Sequence, residues 1–220
     1  MPLDVLIEPT IPVLKPTDTV DDALRMIAET HLEQLPLVSG NSYWGMMKES
    51  ILLDWEDPND ELSVFEGRLN RLYCQQLLHP FEAVKMAIQN KLPVVPVLNQ
   101  EQEYLGAISR DALFYYLGEN GSLNEPGGII VLEMKLGEYS LSQIARICEG
   151  ENVIVLNSRV YTNPQTGMLE VTLKTNKQEL QTVVAAFERF EYIVKEVYGD
   201  LPAYDDLAQR YKLLMTYINM

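Results

Sequence analysis

The chain has 220 residues, 47% of them apolar, enough to bury a core and too many for a disordered segment. Its formal net charge of −15 has no basic cluster to offset it, which excludes phosphate-backbone binding and attraction to anionic membranes. No apolar run reaches the ~20 residues that span a bilayer. The opening residues, MPLDVLIEPTIPVLKPTDTV, carry acids and prolines where a secretory signal needs a basic start and an apolar run. A cytoplasmic location is the expectation. The two cysteines, Cys74 and Cys148, are expected as reduced, buried thiols.

In chain order, the first pattern is a repeat. TVDDALRMIAETHLEQLPLV lies over HPFEAVKMAIQNKLPVVPVL, pairing Ala23 with Ala83, Met26 with Met86 and Pro36 with Pro96, a constant offset of 60 residues. Gly45 then matches Gly106 with one residue inserted. Each copy reads as helix, short apolar strand containing proline, polar turn, strand through glycine, second helix. Ala23, Met26, Ile27 and Thr30 share a helix face, and Thr19 supplies a cap ahead of Asp21 and Asp22. The prolines remove ladder donors, which predicts edge or strand-start positions. Between the copies, DWEDPNDELSVFEGRL reads as a solvated acidic excursion; it lacks the spacing of a calcium loop. His79, before Pro80, is expected to cap or to lie on the surface, and no histidine has a metal-spaced neighbour.

The turn-rich stretch Gly118–Gly128 marks a boundary. Beyond it the periodicity predicts a strand at IIVLEM, a helix at SLSQIARICEG, strands at NVIVLNSRVY and MLEVTLKT around the turn TNPQTG, a helix at QELQTVVAAFERF and a strand at EYIVKEVY. Strand, helix, hairpin, helix and strand form a ferredoxin-like βαββαβ order, with one sheet face left to solvent or to a partner. The tail, DDLAQRYKLLMTYINM, reads as an amphipathic helix with Leu207, Tyr211, Leu214 and Ile218 on one stripe. The fold class is therefore α/β (α+β), with domains at 1–120, 127–199 and 200–220. No catalytic constellation, cofactor motif or metal site is evident, and the chain is read as not an enzyme.

The repeat, from about Ile11 to Gly118, resembles a tandem CBS pair (Bateman module), and Gly128–Tyr198 is similar to an ACT-like domain. The whole chain resembles bacterial CBS-domain proteins with a C-terminal ACT-like region, some of them acetoin-utilisation-like. The resemblance implies a regulator that holds an adenine nucleotide (AMP, ADP or ATP) in the cleft between repeats, forms a homodimer and signals to an unidentified partner protein. A ligand-free dimeric scaffold with degenerate sites is the alternative. The residues it points to are Lys48, Ser109, Asp111, Pro36 and Pro96. The family's glycine, two apolar residues, Ser/Thr, two residues, Asp motif runs from Gly106 to Ser109, but its Asp place is Ala112. Asp111 stands one residue early, about 100° around a helix, and is expected to cap the helix instead. In the first copy the hydroxyl and Asp places hold Lys48 and Ile51. Lys48 and Ser109 are expected to face one phosphate from both repeats. In the ACT-like part, Tyr139 holds the place of a ligand-loop glycine, so its ring is expected to fill that pocket.

Overall fold

The computed structural model describes residues 3–199, so the expected tail helix lies outside the described residues. The chain divides into two compact units, Met1–Leu117 and Gly118–Met220.

The first unit is a duplicated frame. Copy one runs from a lone strand contact at Leu14 through α1 (Val20–Thr30), β1 (Gln34–Ser39), β2 (Ser42–Lys48) and α2 (Glu49–Leu53). Copy two has β3 (Cys74–Gln75), α3 (Pro80–Asn90), β4 (Val94–Leu98), β5 (Tyr104–Ser109) and α4 (Arg110–Asn120). The repetition extends to detail. Leu14 pairs in parallel with Leu37, as Cys74 does with Val97. Each hairpin has its irregularity just after the residue facing glycine, at Leu37/Val38 and Val97/Leu98. α1 and α3 end on left-handed residues, His31 and Lys91. Thr19 forms a capping box with Asp22, and His79 Nδ1 accepts the Phe81 N–H at 3.2 Å, so both expected caps are present.

Pro36 lies in β1 of a two-stranded sheet, an edge strand as expected, but Pro96 departs from expectation. Sheet order β3-β4-β5 places Pro96 inside a central strand. This works because a strand residue's N and C=O face the same neighbour. Pro36 C=O accepts the Leu14 N–H at 2.9 Å, and on that side the neighbouring segment is too short to need a donor in return. The acidic excursion also departs. Leu62 and Phe65 are buried, Trp55 packs on Phe65 at 4.6 Å, and the loop carbonyls of Pro58 and Asp60 accept the Asp21 and Val20 N–H groups at the start of α1. Its acids are solvated, but its apolar residues anchor it and help cap the helix.

Two arms cross the unit. Residues 3–8 lie along the second copy, where Leu3 N–H donates to Gln76 C=O and Glu8 N–H to Ala107 C=O, both at 3.0 Å. Residues 69–72 cross the first copy, where Met46 N–H donates to Asn70 C=O at 3.2 Å. Tyr43 and Tyr104 stack 6.0 Å apart where the copies meet.

The second unit contains β6 (Ile129–Met134), α5 (Leu141–Gly150), β7 (Val155–Thr162), β8 (Leu169–Thr175), α6 (Gln181–Arg189) and β9 (Ile193–Tyr198). Its sheet, order β7-β8-β6-β9, is antiparallel throughout, which is the ferredoxin-like order. Leu169, Val171 and Leu173 alternate inward with Ile130, Leu132 and Met134, and meet Ile144, Ile147, Val183 and Phe187 of the helices. On the opposite face Lys195 pairs with Glu133 and Glu170, so that face is polar at its centre.

Candidate functional site

The corner between β5 and α4 is built from Ser109, Arg110, Asp111 and Ala112, with Glu8 and Pro93 bonded to it. Ser109 ends β5, and its Oγ accepts the Ala112 N–H at 3.0 Å, so Ser109 caps α4. The Arg110 N–H is taken by Pro93 C=O at 3.0 Å. The Ser109 N–H donates to Glu8 Oε2 at 3.1 Å. Asp111 is exposed within the first turn and is not the cap; it interacts with the positive helix end from the side. The cap chemistry thus belongs to the residue one step before α4. Urea unfolding of Ser109→Ala is expected to show a loss of about 1 kcal/mol, and Asp111→Ala about 0.5 kcal/mol.

Glu8 escaped the sequence reading. It lies 101 residues from Ser109. Its only local signal is that it is the lone acid in the apolar stretch VLIEPTIPVL.

Lys48 is the N-cap residue of α2, exposed and making no side-chain cap bond. The Glu49 N–H goes to Glu33 C=O at 2.9 Å, matching Arg110 to Pro93. Lys48 and Ser109 are not brought together. Ser42 and Glu103 pair antiparallel at the starts of β2 and β5, so the two strands run apart and end far from each other. The two hydroxyl-place residues belong to separate corners, one per copy. Pro36 and Pro96 are buried within β1 and β4, paired with Met46 and Ala107.

The outer surface of α3 and α4 carries a groove of about 480 Å³ lined by Val84, Ala87, Ile88, Leu113, Phe114 and Leu117, with Lys91, Arg110 and Glu33 at its edge. Ile88 is 71% exposed and Phe114 73%. Further along α3, Phe81 is exposed beside Tyr116.

In the second unit a groove of about 580 Å³ runs beside the loop between β6 and α5, lined by Lys135, Glu138, Tyr139, Gln143 and Tyr192 among others. Tyr139 is half-buried against the core. It therefore narrows this groove without filling it, because the ring turns inward to apolar contacts. The Tyr192 hydroxyl is buried and has no partner.

Both thiols are buried and free, and burial pushes each up to about 11. The thiolate is the reactive form. At pH 7.5 a disulfide reagent is expected to label neither thiol until denaturant is added; rapid labelling of the native chain would contradict this burial. No group of three His, Cys, Asp or Glu residues suited to a metal occurs among the described residues, and none of their helices is long and apolar enough to cross a membrane.

Among solved structures, a CBS domain pair/ACT domain protein from Thermotoga maritima is 16% identical, over 54% of this chain and 98% of its own, with a TM-score of 0.49. The CBS domains of a transcriptional regulator from Streptococcus pneumoniae are 18% identical, over 52% of this chain and 98% of theirs, with a TM-score of 0.46. CBSX2 in complex with AMP is 17% identical, over 54% of this chain and 96% of its own, also with a TM-score of 0.46. No curated protein matches. Residues 4–55, from the first arm through α2 and the two residues after it, match the family model of the CBS domain.

Proposed function

We propose that this chain is a non-catalytic regulatory protein that works as a homodimer, its first unit pairing with a second copy through the α3–α4 face. The observation that carries this reading is the concentration of exposed apolar side chains there. Phe81, Ile88, Phe114 and Leu117 together offer roughly 400 Å² of apolar surface, about half of one partner's share of a standard interface. The corresponding α1 of the first copy has no exposed large apolar residue. A second copy is favoured over an unrelated partner because a two-fold pairing closes this face on itself, each exposed Ile88 and Phe114 being covered by the same face of the other copy. Sedimentation of the wild type at micromolar concentration tests the reading, which requires a dimer.

A second, compatible reading is adenine-nucleotide sensing at the Ser109 corner. It is favoured by the bond between the Ser109 N–H and a carboxylate oxygen, since a phosphate offers the same kind of acceptor. AMP, ADP and ATP titrated into the protein in a calorimeter test it, and absence of heat from all three removes it. The non-catalytic reading is supported by the groups otherwise suited to chemistry. His79 is engaged as a cap, and both thiols are buried with raised pKa.

A further inference from the structure

We propose that β7 is a self-pairing edge: two copies of this chain join β7 to β7, antiparallel about a two-fold axis at Val160, and extend the second unit's sheet across both copies. The contact is separate from the α3–α4 face, which belongs to the first unit. Three observations carry it.

First, β7 is an edge with free main-chain groups. The sheet order β7-β8-β6-β9 leaves β7 and β9 outermost. Asn163 N–H donates to Met168 C=O at 2.9 Å just past the end of β7, and the same register continues as Thr162↔Leu169 and Tyr161↔Glu170. Bonded and non-bonded pairs alternate along an antiparallel ladder. Asn157, Arg159 and Tyr161 therefore bond to β8, while the N–H and C=O groups of Ser158, Val160 and Thr162 point away from it. Those groups make no other bond among the described residues.

Second, nothing blunts this edge. From Asn157 to Thr162 the register is unbroken, and the strand, VLNSRVYT, holds no proline and no acid in a chain of net charge −15. Edges that stay single are commonly protected by charges, prolines or bulges. The opposite edge has such protection: its register shifts at Val131/Leu132, and β9 carries Lys195 and Glu196.

Third, the strand is complementary to itself. In an antiparallel pair centred on Val160, Ser158 stands opposite the partner's Thr162, and Val160 opposite the partner's Val160. These are the residues with free N–H and C=O groups, so each of them finds its bonds. A centre at Arg159 would set Thr162 against the irregularity at Leu156, and one at Tyr161 would set Ser158 against Pro164 of the turn. The side chains agree. Val160 meets its own copy on one face, and on the other Arg159 lies opposite the partner's Tyr161, a cation beside an aromatic ring. A single pair of strands buries less than a standard interface, so this contact forms at higher concentration than the α3–α4 dimer.

The test uses the full chain, as wild type and with Val160→Lys or Val160→Pro, each confirmed as folded by its thermal transition. Val160 is exposed and its N–H is not used by β8, so both changes spare the sheet's own ladder. Sedimentation is measured at low-micromolar and at roughly half-millimolar concentration, with hydrogen exchange of Val155–Thr162 alongside. The wild type should gain mass at the higher concentration, and its Ser158, Val160 and Thr162 amides should exchange about tenfold more slowly there. Both Val160 variants should lose that gain and keep the low-micromolar species. Ile193→Lys, on β9, should behave as wild type. Ile88→Asp combined with Phe114→Asp should still gain mass at the higher concentration, through β7 alone. A wild type with neither gain in mass nor slowed exchange overturns the proposal, as does a gain that both Val160 variants retain; either result leaves the α3–α4 dimer standing. A wild type that is monomeric at low-micromolar concentration, yet gains mass in a way that Val160→Lys abolishes, supports β7 pairing and overturns the α3–α4 reading.

Discussion

Replacing Ile88 and Phe114 together with aspartate should convert the protein from dimer to monomer at micromolar concentration. Both side chains stand out from the α3–α4 face, 71% and 73% exposed, so neither change removes a core contact. The variant should keep the wild-type thermal transition of the isolated chain to within about 0.5 kcal/mol. Its effect falls on association. In a two-fold interface each substitution appears twice, and each places a carboxylate against apolar surface. At about 1 kcal/mol per buried side chain lost, four such losses weaken the dimer roughly a thousandfold. The protein's net charge of −15 adds repulsion in the same direction. Leu53→Asp is the matched control, since Leu53 is 65% exposed at the end of α2 in the other copy. It should leave the dimer intact. A dimer that persists in the double variant, or that Leu53→Asp breaks, would move the interface elsewhere.

The frame was legible in the sequence because its signals are local or repeated. Ala23/Ala83 and Pro36/Pro96 fixed the two copies by a constant offset, and helical and alternating periods located most elements. The alternation of Leu169, Val171 and Leu173 is found in β8 with each of these residues buried. What was illegible lies in contacts without a local pattern. Strand β3 has two residues, too few for any period. Pro96 in a central strand depends on how short that neighbour is, which a proline rule applied to one strand does not contain. At the candidate site, the hydroxyl place at Ser109 was readable from its spacing after Gly106. The group that occupies it was not, because Glu8 reaches it from 101 residues away. Lys48 and Ser109 were expected at one phosphate because they share a place in the repeat. An antiparallel meeting of β2 and β5 sends equivalent ends in opposite directions, so equivalence in the repeat means separation in space.

The two crossing arms give a prediction that separates rigid from yielding contacts. Gly45 has φ +152° and Gly106 φ +149°, backbone that side chains rarely adopt. Alanine at either site should therefore cost about 1–3 kcal/mol in strain alone. The neighbours then distinguish them. A Cβ at Gly45 would stand 2.5 Å from Leu69 Cβ and 3.0 Å from Asn70 O. Both are tied to the arm's main chain, and the Asn70 carbonyl also accepts the Met46 N–H. Relief requires moving the arm and losing that bond. A Cβ at Gly106 would meet Ile7 Cγ2, the end of a side chain that can turn or be trimmed. Gly45→Ala should thus lose about 4 kcal/mol in urea unfolding, strain and displaced arm together, and Gly106→Ala about 2–3 kcal/mol. Double variants sharpen the contrast. Adding Ile7→Ala removes the clashing methyl, so Gly106→Ala/Ile7→Ala should be more stable than the sum of its single changes by about 1 kcal/mol or more. Adding Leu69→Ala leaves Leu69's Cβ in place, so it should give Gly45→Ala no such relief. Equal coupling in the two pairs would mean that the first copy's arm yields as readily as an isoleucine side chain, and that its main chain is not what holds β2 in register.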